Sequence, residues 1–275
     1  MNRIKIITDS TSYLTKEYAR EKDITVVPLK YVFGDESYVE GFRGEFDEFF
    51  NRLQTSKLFP TTSQPSAGEF YDAYVKAFGK YDEIIVILLS SKISGTYSSA
   101  VTASNMLEDK KISIIDSETA ASNLRILVED SYNMAQEGYS SEQIIKYIEE
   151  KKKGMYVYLT TGTLEYLARG GRLSNVQSTL GNLLKIKPIL ELKNGEIDLL
   201  EKVRGSNRVL SNLYSKIPND VKEINICHIL NLSTAQKVYN TLVERYPNAK
   251  IGIDELGPVI GAHLGPSTLG LLFYN

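Results

Sequence analysis

Residues 83–96 read EIIVILLSSKISGT, and every position from 84 to 89 is apolar. A short run of this kind is typical of a β-strand that is covered on both faces, as in a parallel sheet. Other β-branched runs predict further strands at residues 4–8, 24–29 and 112–116. Apolar residues at helical intervals predict helices over residues 45–54, 66–78, 94–107 and 119–136. Strands and helices in alternation indicate a parallel sheet joined by right-handed crossovers.

The second half of the chain shows a different order of elements. A predicted helix at 140–153 and a strand at 155–160 are followed by a Gly-rich bend at 167–174. Asn194-Gly195 then stands between two strand-like segments in residues 185–204, and this pair favours a type I′ hairpin turn because both residues tolerate positive φ. The remaining elements are predicted at 206–217 (helix), 223–229 (strand), 233–246 (helix) and 250–256 (strand).

These patterns together predict an α/β protein with two domains. Residues 1–155 form a Rossmann-like parallel sheet with flanking helices, and residues 156–275 form a smaller α+β domain. We expect the boundary to carry an error of several residues, because element ends are poorly specified by sequence patterns.

The charge balance and the scarcity of metal-binding side chains restrict the function. The chain has 275 residues, with 32 Lys and Arg against 34 Asp and Glu, so its formal net charge is −2. This balance provides no general attraction to nucleic acid or to an anionic membrane surface. The single cysteine, Cys227, excludes an internal disulfide, and only two histidines could bind zinc. We therefore expect no metal, no cofactor and no nucleic acid partner.

The usual nucleotide-binding and hydrolase motifs do not occur in the sequence. Neither GxxxxGKS/T nor GxGxxG is present, and the GxSxG turn of α/β-hydrolases is also missing. The first residues, MNRIKIITDST, turn polar before a signal-peptide core can form, and the apolar run at 84–89 is too short to span a bilayer. We therefore expect a cytoplasmic protein without stable membrane insertion.

Two segments rich in hydroxyl residues are the first candidates for a binding site. Residues 61–66 read TTSQPS ahead of a predicted helix, where one hydroxyl suffices as a cap and four are present. Residues 90–96 read SSKISGT directly after the central strand, at the edge where ligands collect in open parallel sheets. There Ser94 can donate to an anion at the positive end of the next helix, and Gly95 allows close approach of the backbone. The alternative for Ser94 is a helix cap with nothing bound.

Three other polar segments have roles that the residues alone leave open. Residues 257–267, GPVIGAHLGPS, contain glycines and prolines that we expect to break regular structure around His263. That histidine is either buried and structural or part of a site. Arg169 and Arg172 flank two glycines, and either hold an anionic group or are solvated. Asp9 and the hydroxyl residues after it end the first strand, as site residues or as helix caps.

The whole set of segments resembles the DegV family of bacterial fatty-acid-binding proteins. The matching text is IITDSTSYL, TTSQPSAGEF, LSSKISGTYSSA, IDSETAA, LARGGRLS and GPVIGAHLGPSTLG, in family order and over about residues 3–274. One difference is visible, because the family commonly has glycine where this chain has Ser267.

The resemblance implies that a fatty acid such as palmitate or oleate binds between two domains, with its tail in a buried tunnel. In the family, the first Thr of TSQPS and the Ser of SGT hold the carboxylate, and these positions are Thr62 and Ser94 here. The Arg of GGR and the His of the GAH segment form a second layer, which implies Arg172 and His263. We expect Ser63, Gly95 and Thr96 to complete the same headgroup network.

The resemblance also implies a partner. Some members of the family present the fatty acid to a separate ATP-binding fatty acid kinase, which converts the carboxylate into an acyl phosphate for phospholipid synthesis. On this hypothesis the chain is a lipid-binding protein and not an enzyme by itself. Arg204 and Arg208 follow the hairpin and are candidates for an acidic kinase surface, or are ordinary solvated charges.

Two other hypotheses remain open. The first is an acyl hydrolase or transferase in which Ser94 is the nucleophile and His263 is the base. The second rests on the fold-level similarity of DegV proteins to the substrate domain of dihydroxyacetone kinases, where a histidine binds the substrate carbonyl. That similarity implies a dihydroxyacetone-kinase-like carbonyl-binding protein.

Overall fold

A computed structural model describes residues 3–172 and 187–275 of the chain. The helices are α1 Lys16–Glu21, α2 Asp47–Thr55, α3 Ala67–Phe78, α4 Thr96–Ser104, α5 Ala121–Gln136, α6 Ser141–Lys151, α7 Glu165–Gly170, α8 Ser206–Ser215, α9 Leu232–Arg245 and α10 Pro258–Leu264. The strands are β1 Ile4–Asp9, β2 Thr25–Val27, β3 Lys30–Phe33, β4 Glu36–Val39, β5 Thr61–Ser63, β6 Glu83–Leu88, β7 Lys111–Asp116, β8 Met155–Thr160, β9 Lys187–Lys193, β10 Glu196–Val203, β11 Glu223–Ile229, β12 Lys250–Glu255 and β13 Thr268–Tyr274. Two short 3-10 turns cover Ser10–Ser12 and Lys152–Gly154.

The chain divides into two compact units. The first contains Met1–Phe46 and Thr62–Lys153, and the second contains Asp47–Thr61 and Gly154–Asn275. The sequence patterns did not indicate that Asp47–Thr61 belongs with the later part of the chain. The predicted domain boundary after residue 155 stays a prediction.

The first unit is built on the parallel sheet β2-β1-β6-β7. Strand β6 is buried at every position, because it lies between β1 and β7 and is covered by helices. Helices α3 and α4 share one core with this sheet, and α5 packs against β1 and β6. The core on the α3 and α4 side includes Ile7, Val27, Phe70, Tyr74, Ile84, Val86, Leu88, Ala100 and Ala103. A small three-stranded sheet has the order β4-β3-β5. The sequence patterns did not predict this sheet.

The second unit is built on a mixed sheet of order β10-β9-β8-β13-β11-β12. Strands β11 and β12 are parallel, whereas β10 with β9, β9 with β8, β8 with β13 and β13 with β11 are antiparallel. Asn194 and Gly195 have φ values of 49° and 82°, which confirms the predicted type I′ turn. Residues 185 and 186 of the predicted hairpin lie outside the described residues. The predicted α/β class, with a flanked parallel sheet and a second sheet domain, is confirmed.

Two predictions in the second unit are wrong. The Gly-rich bend at 167–174 is not irregular throughout, because residues up to Gly170 belong to α7, and residues 173 and 174 lie outside the described part. The expected break around His263 is also incorrect, since α10 runs through it and β13 follows. Pro258 occupies the first turn of α10, where proline is tolerated, and Gly261 allows a close approach because an added Cβ would lie 2.9 Å from Phe49 Cε1.

Within the described part of the chain, no helix combines the length and the apolar character that crossing a membrane requires.

Candidate functional site

The segment TTSQPS divides its hydroxyl groups between a strand and a helix cap. Ser66 is the N-cap of α3, and its Oγ accepts a hydrogen bond from Glu69 N at 3.2 Å. The Glu69 carboxylate accepts one in return from Ser66 N at 2.8 Å, which completes a capping box. Thr62 and Ser63 precede this cap in β5, with Thr62 half-buried and Ser63 exposed. One hydroxyl therefore caps α3, as the residue types indicated, and the threonine and serine of β5 have a separate position.

Ser94 lies in the turn that leads from β6 into α4. Its backbone N–H donates to Ser90 O at 3.2 Å. Its hydroxyl oxygen lies 2.8 Å from Thr96 Oγ1 and accepts from Thr96 N at 3.3 Å. The N-cap of α4 is Gly95, so the helix begins two residues later than predicted. The Ser94 hydroxyl thus lies at the positive end of α4, beyond the carboxyl end of the central strand.

The two hydroxyl segments are neighbours in the first unit. A Cβ added to Gly95 would collide with the side-chain amide of Gln64, so glycine permits this approach. Gln64 also donates from Nε2 to Ser99 Oγ at 3.4 Å, which links the residue after β5 to α4. Gln64 is a residue that sequence reasoning missed, because nothing in a lone glutamine indicates a partner 35 residues later.

His263 and Arg172 belong to the second unit. A Cβ on Gly170 would collide with His263 Nδ1, so the glycine at the end of α7 permits the contact with α10. Burial, together with the nearby Arg172 guanidinium, lowers the pKa of His263 to about 4. The imidazole is therefore neutral at pH 7, with one ring nitrogen as a donor and the other as an acceptor.

The two arginines of the LARGGR segment have different surroundings. Arg169 pairs with Glu165 in the same helix at 2.9 Å, and its guanidinium lies 4.0 Å from the centre of the Phe59 ring. Arg172 donates from Nη1 to Gly170 O. Arg172 is half-buried whereas Arg169 is exposed, which favours Arg172 over Arg169 as the anion-binding member.

Ser267 has a φ of 63°, in the left-handed region that favours glycine. It is exposed and lies between α10 and β13. This backbone conformation suits the glycine that the resemblance led us to expect at this position, and α10 is regular from Pro258 to Leu264.

The predicted site residues fall into two groups. Thr62, Ser63, Ser94, Gly95 and Thr96 lie in the first unit, and the other two, Arg172 and His263, lie in the second. Among residues 3–172 and 187–275, no group of three or more His, Cys, Asp and Glu side chains is arranged to hold a metal ion.

A polar cavity of about 550 Å³ lies between β10 and α8 in the second unit. Arg204 and Arg208 line it, together with Glu201, Lys202 and Asn212. Both arginines are exposed. The cavity therefore presents three basic side chains and one acidic side chain to solvent.

Comparison with known proteins identifies close relatives over the full chain. Residues 3–275 match the sequence profile of the DegV family, described as uncharacterised proteins. A DegV domain-containing protein of Halalkalibacterium halodurans is 36% identical, over 100% of this chain and 99% of its own length. DegV of Bacillus subtilis, a fatty acid binding protein, superposes with a TM-score of 0.90 at 34% identity, covering 100% of both chains. A stearic-acid-binding protein of Eubacterium ventriosum superposes with a TM-score of 0.86 at 26% identity, covering 98% of both chains.

Proposed function

Because the chain belongs to the DegV family, we propose that it binds a long-chain fatty acid and holds the carboxylate with Thr62 and Ser94. The observation that carries this proposal is the position of the Ser94 hydroxyl, at the N-terminus of α4 and beyond the carboxyl end of β6. Unpaired N–H groups and a positive dipole end at such a position favour an anion. The Gln64–Gly95 contact supports a shared role, because it keeps the segment of Thr62 beside that of Ser94.

The energetics favour a tail-driven affinity. Burial of an acyl chain contributes about 0.8 kcal/mol per methylene, so about fourteen methylenes contribute roughly 11 kcal/mol. Ordering of the chain and loss of translational freedom oppose a large part of this. The carboxylate contacts mainly set the orientation, because a desolvated headgroup must be hydrogen-bonded merely to avoid a penalty.

Titration of the purified, delipidated protein with oleate tests the proposal. We expect saturable binding, with a rise in the unfolding temperature, and Ser94→Ala or Thr62→Ala should weaken binding by about 1–3 kcal/mol. Ser98→Ala is the matched control, since Ser98 carries an exposed hydroxyl in the first turn of α4 and its substitution should have no effect. Absence of oleate binding by the wild type would reject the function, and unchanged binding by both site variants would reject the assignment.

The same proposal gives Ser63, Gly95 and Thr96 a supporting role around the carboxylate, with Arg172 and His263 in the surrounding layer. The 2.8 Å contact of Ser94 Oγ with Thr96 Oγ1 supports this for Thr96, because it orients the Ser94 hydroxyl. The neutral state of His263 supports a hydrogen-bonding role and gives no support to a second cation at the headgroup.

We further propose that, in the cytoplasm, the chain presents the fatty acid to a separate kinase, which transfers the γ-phosphoryl group of ATP to a carboxylate oxygen and releases ADP. The lack of the common phosphate-binding motifs in this chain supports such a division of labour. The basic cavity of Arg204 and Arg208 is suited to an acidic kinase surface. Arg204→Glu should slow acyl phosphate formation by the reconstituted pair without changing oleate affinity, whereas Lys237→Glu on α9 should leave it unchanged.

The competing hydrolase hypothesis requires turnover by the isolated chain. We expect no release of free thiol from an acyl thioester beyond the buffer rate. Release that Ser94→Ala and His263→Ala both abolish would replace the binding function with a catalytic one.

A further inference from the structure

The loop that carries Ser94 is held by carboxylates from the two strands that flank β6. Asp9 is the last residue of β1, and Asp116 is the last residue of β7. Strand β6 lies between these two strands in the sheet. The two acidic side chains thus stand on either side of the point where the chain leaves β6.

Asp9 divides its two oxygens between its own turn and the loop after β6. Its Oδ1 accepts from Thr11 N at 2.9 Å and from Thr11 Oγ1 at 2.6 Å. Its Oδ2 accepts from Leu89 N at 2.7 Å, although Leu89 is 80 residues away in the sequence. The side chain is fully buried, and desolvation raises its pKa to about 6 while these hydrogen bonds oppose the rise. A cap for the turn at Ser10–Ser12 needs only one of the two oxygens. The hydrogen bond from Leu89 N to the second oxygen is therefore not part of that cap.

Asp116 makes the corresponding contact from the other side. Its Oδ1 accepts from Ser91 N at 3.1 Å and from Glu118 N at 3.0 Å. Between the two carboxylates, Ser90 N donates to Thr119 O at 2.9 Å. The backbone N–H groups of residues 89, 90 and 91 therefore all donate hydrogen bonds to acceptors on neighbouring segments.

These contacts lead directly to Ser94. The carbonyl oxygen of Ser90 accepts from Ile93 N at 3.3 Å and from Ser94 N at 3.2 Å. Fixing residues 89–91 therefore fixes the turn that presents the Ser94 hydroxyl. Because buried amides that leave a strand need acceptors, removal of either carboxylate frees this turn to shift.

We propose that Asp9 and Asp116 are positioning residues, which hold the loop after β6 so that the Ser94 hydroxyl meets the ligand carboxylate. This inference rests on the proposed fatty acid function and assigns headgroup selectivity to two residues that do not touch the ligand. The Asp9→Asn substitution replaces the carboxylate with a side-chain amide of nearly the same volume. The amide has one acceptor oxygen for the three donors that the carboxylate binds, so the loop loses a hydrogen bond.

The test compares oleate with oleyl alcohol, which has the same tail and no carboxylate. For Asp9→Asn we expect the oleate affinity to fall about tenfold, with a smaller change for oleyl alcohol. Addition of Ser94→Ala to this variant should cause little further loss, because the hydroxyl is already out of place. Asp82→Asn is the matched control: this aspartate accepts from Arg3 N at 2.8 Å near the opposite end of β1 and β6, and its substitution should leave the ratio of the two affinities unchanged.

The inference would be overturned if Asp9→Asn lowered the affinities for oleate and oleyl alcohol equally, or if it left the oleate affinity unchanged. It would also be overturned if the effects of Asp9→Asn and Ser94→Ala on oleate affinity were fully additive. If Asp9→Asn fails to fold, Asp116→Asn carries the same comparison, because Asp116 is only half-buried. A wild type that binds no oleate would reject the proposed function and this inference with it. A wild type that responds to Ser94→Ala but not to Asp9→Asn or Asp116→Asn would reject this inference alone.

Discussion

Asp9 is buried and His263 is half-buried, and desolvation moves their pKa values in opposite directions. The pKa of His263 falls from 6.5 to about 4 through burial and the Arg172 charge. Its contribution to stability is therefore complete above about pH 6.5 and is lost as the pH falls towards 4. The pKa of Asp9 rises from 3.8 to about 6 through burial, so its contribution is largest at low pH and is lost as the pH rises towards 6. The two effects oppose each other between pH 4 and 6 in the wild type.

The neutral state of His263 gives the first prediction. The imidazole resonances of this chain come from only two histidines, and a His228→Asn variant assigns them. We expect the His263 resonance to show no titration between pH 8 and about 5.5, because desolvation disfavours the imidazolium ion. NMR over this range provides the measurement, and a midpoint near 6.5 would contradict the desolvation of the His263 ring.

Asp9 gives the second prediction. Relative to Asp9→Asn, the wild type should lose about 2 kcal/mol of unfolding free energy between pH 4 and pH 7, because the folded protein must ionise a desolvated carboxyl group. Urea unfolding of both proteins at the two pH values measures this difference. A difference between the two proteins that stays constant with pH would show that Asp9 is not desolvated.

At the scale of elements, the β9–β10 hairpin depends on backbone conformation at its turn. Gly195 has a φ of 82°, so Gly195→Ala should destabilise the protein by about 1–2 kcal/mol. Gly68→Ala is the matched substitution inside α3, where the added Cβ would lie 3.8 Å from Ser66 Oγ, and it should stabilise by up to about 1 kcal/mol. In urea unfolding, the change in unfolding free energy should therefore have opposite signs for the two variants. The same sign for both would contradict the assigned turn.

The elements that could be predicted are those with short-range signals. The Asn194-Gly195 turn and the apolar run of β6 each depend on adjacent letters. Helix α10 was missed because Gly257 and Pro258 at its start and Gly265 at its end read as irregular structure, although they are an ordinary cap, first turn and terminus. The strands β3, β4 and β5 were missed because each is short and none lies in a β-branched run like that of residues 24–29, which contains β2.

The site could be predicted only as far as its local positions. Ser94 was found because it follows the central strand, and Ser66 because it precedes a helix. The roles of Gln64 and Asp9 depend on partners 35 and 80 residues away, and no local pattern contains such contacts. The residue types around Asp9 indicated either a cap or a site, and the structure shows a cap that also holds the loop of Ser94.

At the scale of the whole molecule, a bound lipid should add to stability. A ligand that binds only the folded chain contributes about 2.7 kcal/mol at one hundred times its dissociation constant. On the proposed tail-driven binding, a headgroup variant such as Ser94→Ala should keep part of this stabilisation. With increasing oleate, the unfolding temperature of the variant should therefore rise, but by less than that of the wild type. An unfolding temperature that does not rise at all in the variant would show that the headgroup dominates binding.

Native mass spectrometry of the protein purified from a bacterial host tests the central proposal most directly. We predict a population whose mass exceeds that of the chain by one long-chain fatty acid, and a loss of this increment when the same sample is denatured. Wild-type protein that has the bare chain mass under both conditions, and still has it after incubation with oleate, would contradict the account.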